Sequence, residues 1–154
     1  MIRPGISLYG HVPDPSIKDP GLKAVMTLKC RIAAVRELSA GSSISYGCTA
    51  ALERDSKIAV LSIGYGDGLL RSLSNKLEVK IHGTPCPILG RVCMDMCMAD
   101  VTALPQVQAG DVAVIYDKDL IRVSELAGTI TDELVCLVSP RVPRVYWENG
   151  ARLP

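Results

Sequence analysis

Between Lys23 and Asp117 the apolar positions come in short runs that alternate with polar ones, and clusters of Gly, Asp, Asn and Ser separate the runs. Alternation with a period of two places one face of a strand in a core, and turn residues at this spacing close one strand onto the next. Residues 22–38 (LKAVMTLKCRIAAVREL) predict one long or bent strand. SKIAVLSIG (56–64) reads as a buried strand and KLEVKIHG (76–83) as a half-exposed one. CPILGRVCMDMCMADV (86–101) reads as a strand interrupted at Gly90, and QAGDVAVIYD (108–117) as a further turn and strand. AGSSISYGCT (40–49) and GYGDGLLRSLSN (64–75) are turn-rich connections. Strands this short and this evenly spaced predict a barrel or a sandwich.

The pattern changes near both ends. Residues 2–9 (IRPGISLY) predict a short strand entered through a proline, and HVPDPSIKDPG (11–21) is a connector rich in Pro, Asp and Gly. IRVSELAG (121–128) and TDELVCLVS (131–139) predict two short helices, with Thr131 placed to cap the second. SPRVPRVYW (139–147) predicts an extended edge strand, where prolines are tolerated. The division that follows is residues 1–9 as a strand belonging to another unit, 10–21 as a linker and 22–154 as the domain proper. A strand at residue 2 with no sheet before it predicts a piece of a longer chain.

Composition narrows the function classes. The 154 residues suffice for one domain with a core, and are too few for two full ones. Hydrophobic residues make up 48% with no Phe, so Val, Leu, Ile, Ala and Met must fill a strand-rich core. A net charge of +1 with interspersed signs gives no footprint for nucleic acid or an anionic membrane. No run approaches the roughly 18 residues needed to span a bilayer, and MIRPGISLYG lacks the plan of a signal peptide. Cys30, Cys48, Cys86, Cys93, Cys97 and Cys136 form no CxxC pair, which predicts buried, reduced thiols and a cytoplasmic location.

Few residues suggest chemistry. Tyr46 lies between small polar residues and a glycine in a predicted loop; position alone favours a structural tyrosine over a catalytic one. A phenol with a pKa near about 10 becomes a general base only where a neighbour stabilises its ionised form. GYGDG (64–68) is neither a P-loop nor GxGxxG and reads as a turn. Cys93 and Cys97, four apart on a strand, would stand about 13 Å apart, too far to share a zinc ion, so no metal is expected. His11 and His82 stand in turn contexts and read as surface or loop histidines.

RPGISLYG (3–10), SYGCT (45–49), IGYGDGLLR (63–71), GRVCMDMCM (90–98) and RVPRVY (141–146) occur in an order and spacing that resembles the alanine racemase family. The resemblance covers nearly the whole chain. It implies the mostly β, barrel-like C-terminal domain of a fold-type III racemase dependent on pyridoxal phosphate, preceded by the last strand of a cofactor-binding (β/α)₈ barrel. It further implies a two-base racemisation of alanine or serine, in which Tyr46 serves one face of the α-carbon and the barrel's lysine the other. Since the family builds each site between subunits, Tyr46 would act on the partner's cofactor in a homodimer.

Other roles follow from the same resemblance. The Met94 N–H matches the group that binds the substrate carboxylate. Tyr65, Arg71, Arg91, Ile130 and Asp132 match residues of the access corridor or of substrate choice. Arg3 matches the arginine facing the pyridine nitrogen, while Gly5 and Ile6 match backbone donors to the phosphate. One departure stands out: in GTITDE, Asp132 occupies a position where alanine-specific members have a tyrosine. The shorter polar side chain implies room near the substrate's β-carbon, and hence serine accepted at least as well as alanine. An ionised Asp132 beside a phosphate would be repulsive, which implies that it is protonated or turned away. Without the barrel and its lysine, these 154 residues alone are expected to be inactive. The competing readings are a dimerisation or binding module derived from the same domain, and an inactive homologue.

Overall fold

The computed structural model describes residues 1–13, 16–17 and 21–154. Much of the expected connector at 11–21 therefore lies outside the described residues. Six strands close into an all-antiparallel barrel: β1 (Leu28–Leu38), β4 (Ser56–Leu61), β5 (Glu78–Ile81), β6 (Thr84–Leu89), β7 (Cys97–Asp100) and β8 (Val112–Tyr116). Two short strands, β2 (Ser43–Ile44) and β3 (Ala50–Ala51), pair outside the barrel. The order around the barrel is β1-β4-β7-β6-β5-β8 and back to β1.

The 11-residue β1 is what closes it. Its first part pairs with β8, from Leu28 opposite Tyr116 to Arg31 opposite Val112. Its second part pairs with β4, from Ile32 opposite Leu61 to Leu38 opposite Ser56, and the register shifts between Ile32 and Ala34. An extra residue on one strand bends it and steepens its twist, which is how a single strand can serve two neighbours at a barrel corner. The bent strand expected over 22–38 is thus a strand from Leu28 onward.

Alternation works as the pattern implied. In β4 and β7 the inward residues Ala59, Leu61, Cys97 and Ala99 are fully buried, and Val79, Ile81, Cys86, Ile88, Ala113 and Ile115 meet them from the other strands. Small Ala and Cys side chains beside Leu and Ile suit a six-stranded interior, which is too narrow for aromatic rings at every level. A smaller cluster of Ile44, Leu52 and Ile58 anchors β2 and β3 to the barrel wall.

After β8 come α1 (Leu120–Ala127) and α2 (Thr131–Leu137), whose apolar residues Leu120, Val123 and Leu134 join the main core. Gly128, left-handed at φ 76°, ends α1, and its N–H reaches the Glu125 and Ser124 carbonyls. Thr131 does not cap α2. It is the first helical residue, Ile130 holds the cap position, and the Thr129 hydroxyl bonds instead to the Glu133 carboxylate.

Three further expectations are corrected. Residues 2–9 are not a strand: Gly5–Tyr9 form a 3-10 turn that begins at Gly5 with φ 54° and ends at Gly10 with φ 79°. Its Ile6 enters the main core and the turn packs on α2, so burial of one apolar residue wins over the extended propensity of the segment. The edge strand over 139–147 is absent; Arg144 donates to the carbonyls of Val138, Ser139 and Val142 and folds that stretch on itself. Only a terminal hairpin of β9 (Trp147–Glu148) and β10 (Ala151–Arg152) follows. All six cysteines are free, but Cys48 and Cys136 are exposed, so the thiols are not uniformly core. Among the described residues, no helix is long and apolar enough to cross a membrane.

His11 is also not a surface histidine. It is buried, and its Nε2 has no hydrogen-bond partner among the described residues. Burial holds it below its ordinary value of 6.5, so the folded chain protonates it at lower pH than the unfolded chain does. The unfolded chain takes up a proton below about pH 6.5, so His11 lowers stability progressively as pH falls through that value and has no effect well above it. Between about pH 7 and pH 5, His11→Gln is expected to lose less urea stability than the parent chain; equal losses would refute this.

Candidate functional site

Tyr46 is presented by an unusual piece of backbone. Ser45 has φ 64° and ψ −178°, Gly47 has φ 73° and Cys48 has φ 47°, so three of four consecutive residues lie at positive φ. The Ser45 conformation is one that only glycine adopts freely, at a cost of about 1–3 kcal/mol for a side-chain-bearing residue. The result is a tight elbow, Tyr46–Cys48, whose tyrosine is 75% exposed.

The surroundings hold the elbow in place. The Ser45 hydroxyl donates to the Arg91 carbonyl at 2.6 Å and lies 3.3 Å from the Cys93 sulfur. Gly90 passes so close that a Cβ there would stand 2.6 Å from the Ile44 oxygen and 2.7 Å from the Ser45 Cβ. Gly90 itself needs φ 75° and is fixed by its N–H to Asn75 Oδ1 at 2.5 Å. The Arg91 guanidinium lies against Gly47, 3.0 Å from where a Cβ would be.

A second set of contacts ties the Tyr65 turn to the Met94 turn. Tyr65 N–H donates to the Cys93 carbonyl at 2.9 Å and Gly66 N–H to the Met94 carbonyl at 2.8 Å. Gly64 and Gly66 are glycines because the backbones touch: a Cβ on Gly64 would fall 2.2 Å from the Cys93 oxygen. Asp67 accepts the Gly64 N–H at 2.8 Å. Arg141 spans both turns, bonding Asp67 at 2.8 Å and Asp95 at 2.7 Å, and these two carboxylates hold its guanidinium above its ordinary pKa. The Met94 carbonyl is thus engaged, whereas its N–H has no acceptor among the described residues.

These two frameworks meet at a cleft of about 520 Å³ whose wall includes Tyr46, Tyr65 and Met94, with Ser45, Cys93, Asp95, Met96 and Met98 around them. An exposed phenol, a free backbone donor and apolar methionine side chains make a wall suited to a small ligand that carries a carboxylate. Two neighbouring thiols are inert: burial, with the Asp67 charge adding to it, pushes the Cys30 thiol up to about 12, and burial likewise raises Cys97. Both therefore stay protonated. Cys97 is inward on β7, Cys93 bonds toward Arg91 and Ser45, and the described residues hold no cluster of metal ligands.

Of the sequence-predicted residues, Tyr46, Tyr65 and Met94 line this cleft and Arg91 flanks it. Arg3, Gly5, Ile6, Arg71, Ile130 and Asp132 do not line it. Arg71 opens a 3-10 turn at Arg71–Leu73 and is exposed. A second grouping forms at the amino-terminal turn, where the Asp132 carboxylate lies 3.9 Å from the position of a Gly5 Cβ and Ile130, exposed, precedes α2. Arg3 is exposed just ahead of that turn, while the Ile6 side chain points into the core. A separate groove of about 440 Å³ beside Glu37, Lys57 and Thr102 gathers none of the predicted residues.

Sequence reasoning did not find Ser45, Gly90, Asp67 or Arg141. Gly90 was legible as an interruption, but not as a contact with the SYG run 45 positions earlier. Arg141 sits in RVPRVY without any local sign of its two carboxylate partners.

Residues 25–146 match the family described as alanine racemase, C-terminal domain. The chain is 45% identical over 96% of its length to alanine racemase 1 of Clostridium acetobutylicum, covering 40% of that protein. It is 46% identical over 95% of its length to the alanine racemase of Methanococcus maripaludis, covering 41% of it. Among solved structures, the alanine racemase of Clostridium difficile 630 in complex with cycloserine superposes with a TM-score of 0.87 at 32% identity, over 96% of this chain and 40% of that one. The alanine racemase of Bartonella henselae with covalently bound pyridoxal phosphate gives 0.86 at 36% identity, over 92% of this chain and 40% of that one. The chain thus spans about two fifths of the relatives it matches.

If the close approach at Gly90 positions the elbow, Gly90→Ala should lower urea stability by about 1–3 kcal/mol. Gly83, at φ 80° with nothing within 4 Å of its Cβ position, isolates the backbone term alone. Gly83→Ala is expected to cost clearly less; equal losses would show that the Ile44–Ser45 contact contributes nothing.

Proposed function

The chain belongs to the alanine racemase C-terminal domain family, and on that footing we propose that it is the tyrosine-bearing part of an amino-acid racemase dependent on pyridoxal phosphate. One observation carries the reading: an exposed tyrosine on a tight elbow lines one cleft with Met94, whose N–H has no acceptor among the described residues.

In this reading the Met94 N–H receives the substrate carboxylate and fixes one end of the amino acid. The Tyr46 phenolic oxygen then stands at one face of the α-carbon: as phenolate it takes the α-proton from one enantiomer and becomes the phenol, and as phenol it gives a proton to that face when the other enantiomer is consumed. Holding carboxylate and base on one cleft wall turns the proton transfer into an oriented, effectively unimolecular step. Tyr65 and Arg91 form the approach on this wall, where the arginine favours a small zwitterion over a larger apolar guest; Arg71 and Ile130, away from this cleft, would join the approach only in the assembled two-subunit site.

The residues at the amino-terminal turn fit a pyridoxal phosphate in part. Gly5 and Ile6 open the 3-10 turn, so their N–H groups have no acceptor within it and are suited to a phosphate. Arg3, exposed beside them, suits the ring nitrogen. When bound, the cofactor supplies the electron sink that makes the α-proton removable. None of these three residues lines the Tyr46 cleft, which supports a site completed by a second subunit, hence a homodimer in which Tyr46 serves the partner. A cofactor-binding barrel with its lysine, matching the length the relatives have beyond this chain, would complete each site.

Asp132 bears on substrate choice. Its carboxylate stands beside Gly5, where it is a poor neighbour for a phosphate and a good hydrogen-bond partner for a hydroxymethyl group. Serine is therefore proposed as a substrate at least equal to alanine. In a protein joined to its barrel, Tyr46→Phe should lower kcat by about 100-fold or more for either amino acid. Asp132→Tyr should shift the serine-to-alanine ratio of kcat/KM toward alanine, and an unchanged ratio would rule out the specificity assignment. The 154 residues alone should racemise neither.

A further inference from the structure

We propose that Ser45 is a positioning residue for Tyr46: by holding a backbone conformation that glycine alone adopts freely, its hydroxyl aims the tyrosine ring into the cleft. This rests on the racemase reading for its kinetic consequences, but not for its structural one. At φ 64° and ψ −178°, Ser45 carries a side chain where an unconstrained chain would relax to negative φ. Relaxation would rotate the following peptide plane and swing Tyr46 out of its direction.

Two contacts on the Ser45 hydroxyl prevent that, both from the loop that leads to Met94, and a third within that loop ties their partners together. The hydroxyl donates to the Arg91 carbonyl at 2.6 Å, the Cys93 sulfur stands 3.3 Å away, and the Cys93 thiol shares the Arg91 oxygen at 3.5 Å. Gly90 gives the elbow its seat, since any side chain there would strike Ile44 and Ser45. The serine thus joins the segment bearing the proton-transferring group to the one bearing the carboxylate-binding N–H. Its hydroxyl faces protein groups rather than standing free as a ligand would need, while its neighbour Tyr46 is exposed at the cleft.

The test uses Ser45→Gly and Ser45→Ala in the protein joined to its barrel. Ser45→Gly keeps the backbone angles accessible and removes only the clamp, so misfolding does not confound it. The expected result is an unchanged melting temperature, kcat lower by about 10–100-fold and KM nearly unaltered, as a misplaced but still present base gives. The α-deuterium isotope effect on kcat/KM should rise in one direction of racemisation only, because one face of the α-carbon depends on Tyr46. A purely structural serine would instead lower stability and activity together, with no directional isotope effect, and that outcome would overturn the proposal. A second readout is independent of catalysis. Amide hydrogen exchange over residues 44–48 should accelerate at least about ten-fold in both variants while the barrel strands stay protected. Unchanged exchange would overturn the clamp even if racemisation is observed; accelerated exchange in a protein without racemase activity would sink the function and leave the clamp standing.

Discussion

Everything at the candidate site depends on one close approach, the passage of Gly90 across Ile44 and Ser45. A chain that leaves β6 at Leu89 must turn at once, and the left-handed conformation of Gly90 turns it beneath the β2 segment. The contact admits no side chain, so it fixes the separation of the two backbones by hard-sphere repulsion rather than by weak attraction. Hydrogen bonds then set orientation: Asn75 holds Gly90 and the Arg91 carbonyl holds Ser45. Strain at Ser45 persists because its neighbours over-determine it, as is common where a side chain must be aimed.

The barrel makes this arrangement rigid. β6 and β7 are neighbours in the sheet, so the loop 90–96 between them is anchored at both ends by buried residues, Ile88 and Cys97. β2 and β3 are anchored through Ile44 and Leu52 to Ile58 of β4. Tyr65 follows β4 directly. Three loops of the candidate site thus rise from adjacent strands of one closed structure, and Arg141, from the far end of the chain, bridges two of them through Asp67 and Asp95. An exposed arginine adds little to stability. Held by two carboxylates on different loops, it acts on their relative position.

Strand periodicity made the barrel legible, because its inward positions alternate cleanly and its turns are marked by Gly, Asn and Asp. β1, β4, β5, β7 and β8 fall within the runs marked by alternation, whereas β6 begins at Thr84, ahead of its run, and the segment over 86–101 is two strands, β6 and β7, separated by a loop rather than one interrupted strand. The amino-terminal segment was misread since a β-branched, aromatic-containing run predicts a strand, whereas burial of Ile6 against α2 selects a 3-10 turn. The edge strand over 139–147 failed for a related reason: Arg144 satisfies the carbonyls that a ladder would have used. His11 looked like a loop residue because its burial comes from tertiary packing, which leaves no trace in local composition. Tyr46 and Met94 were legible only as a series of short runs in register. Their meeting in one cleft depends on the Gly90 contact, which spans 45 residues and has no local signature.

The central claim is that Tyr46, so held, serves one face of the substrate's α-carbon and no other. The most direct test incubates the Tyr46→Phe protein, joined to its cofactor-binding barrel, with each pure enantiomer in deuterated water and follows the α-position by proton NMR. One enantiomer should exchange its α-proton for deuterium with retention of configuration, the other should not exchange, and neither should racemise. Exchange of both enantiomers at similar rates, or racemisation that persists near the parent rate, would contradict it.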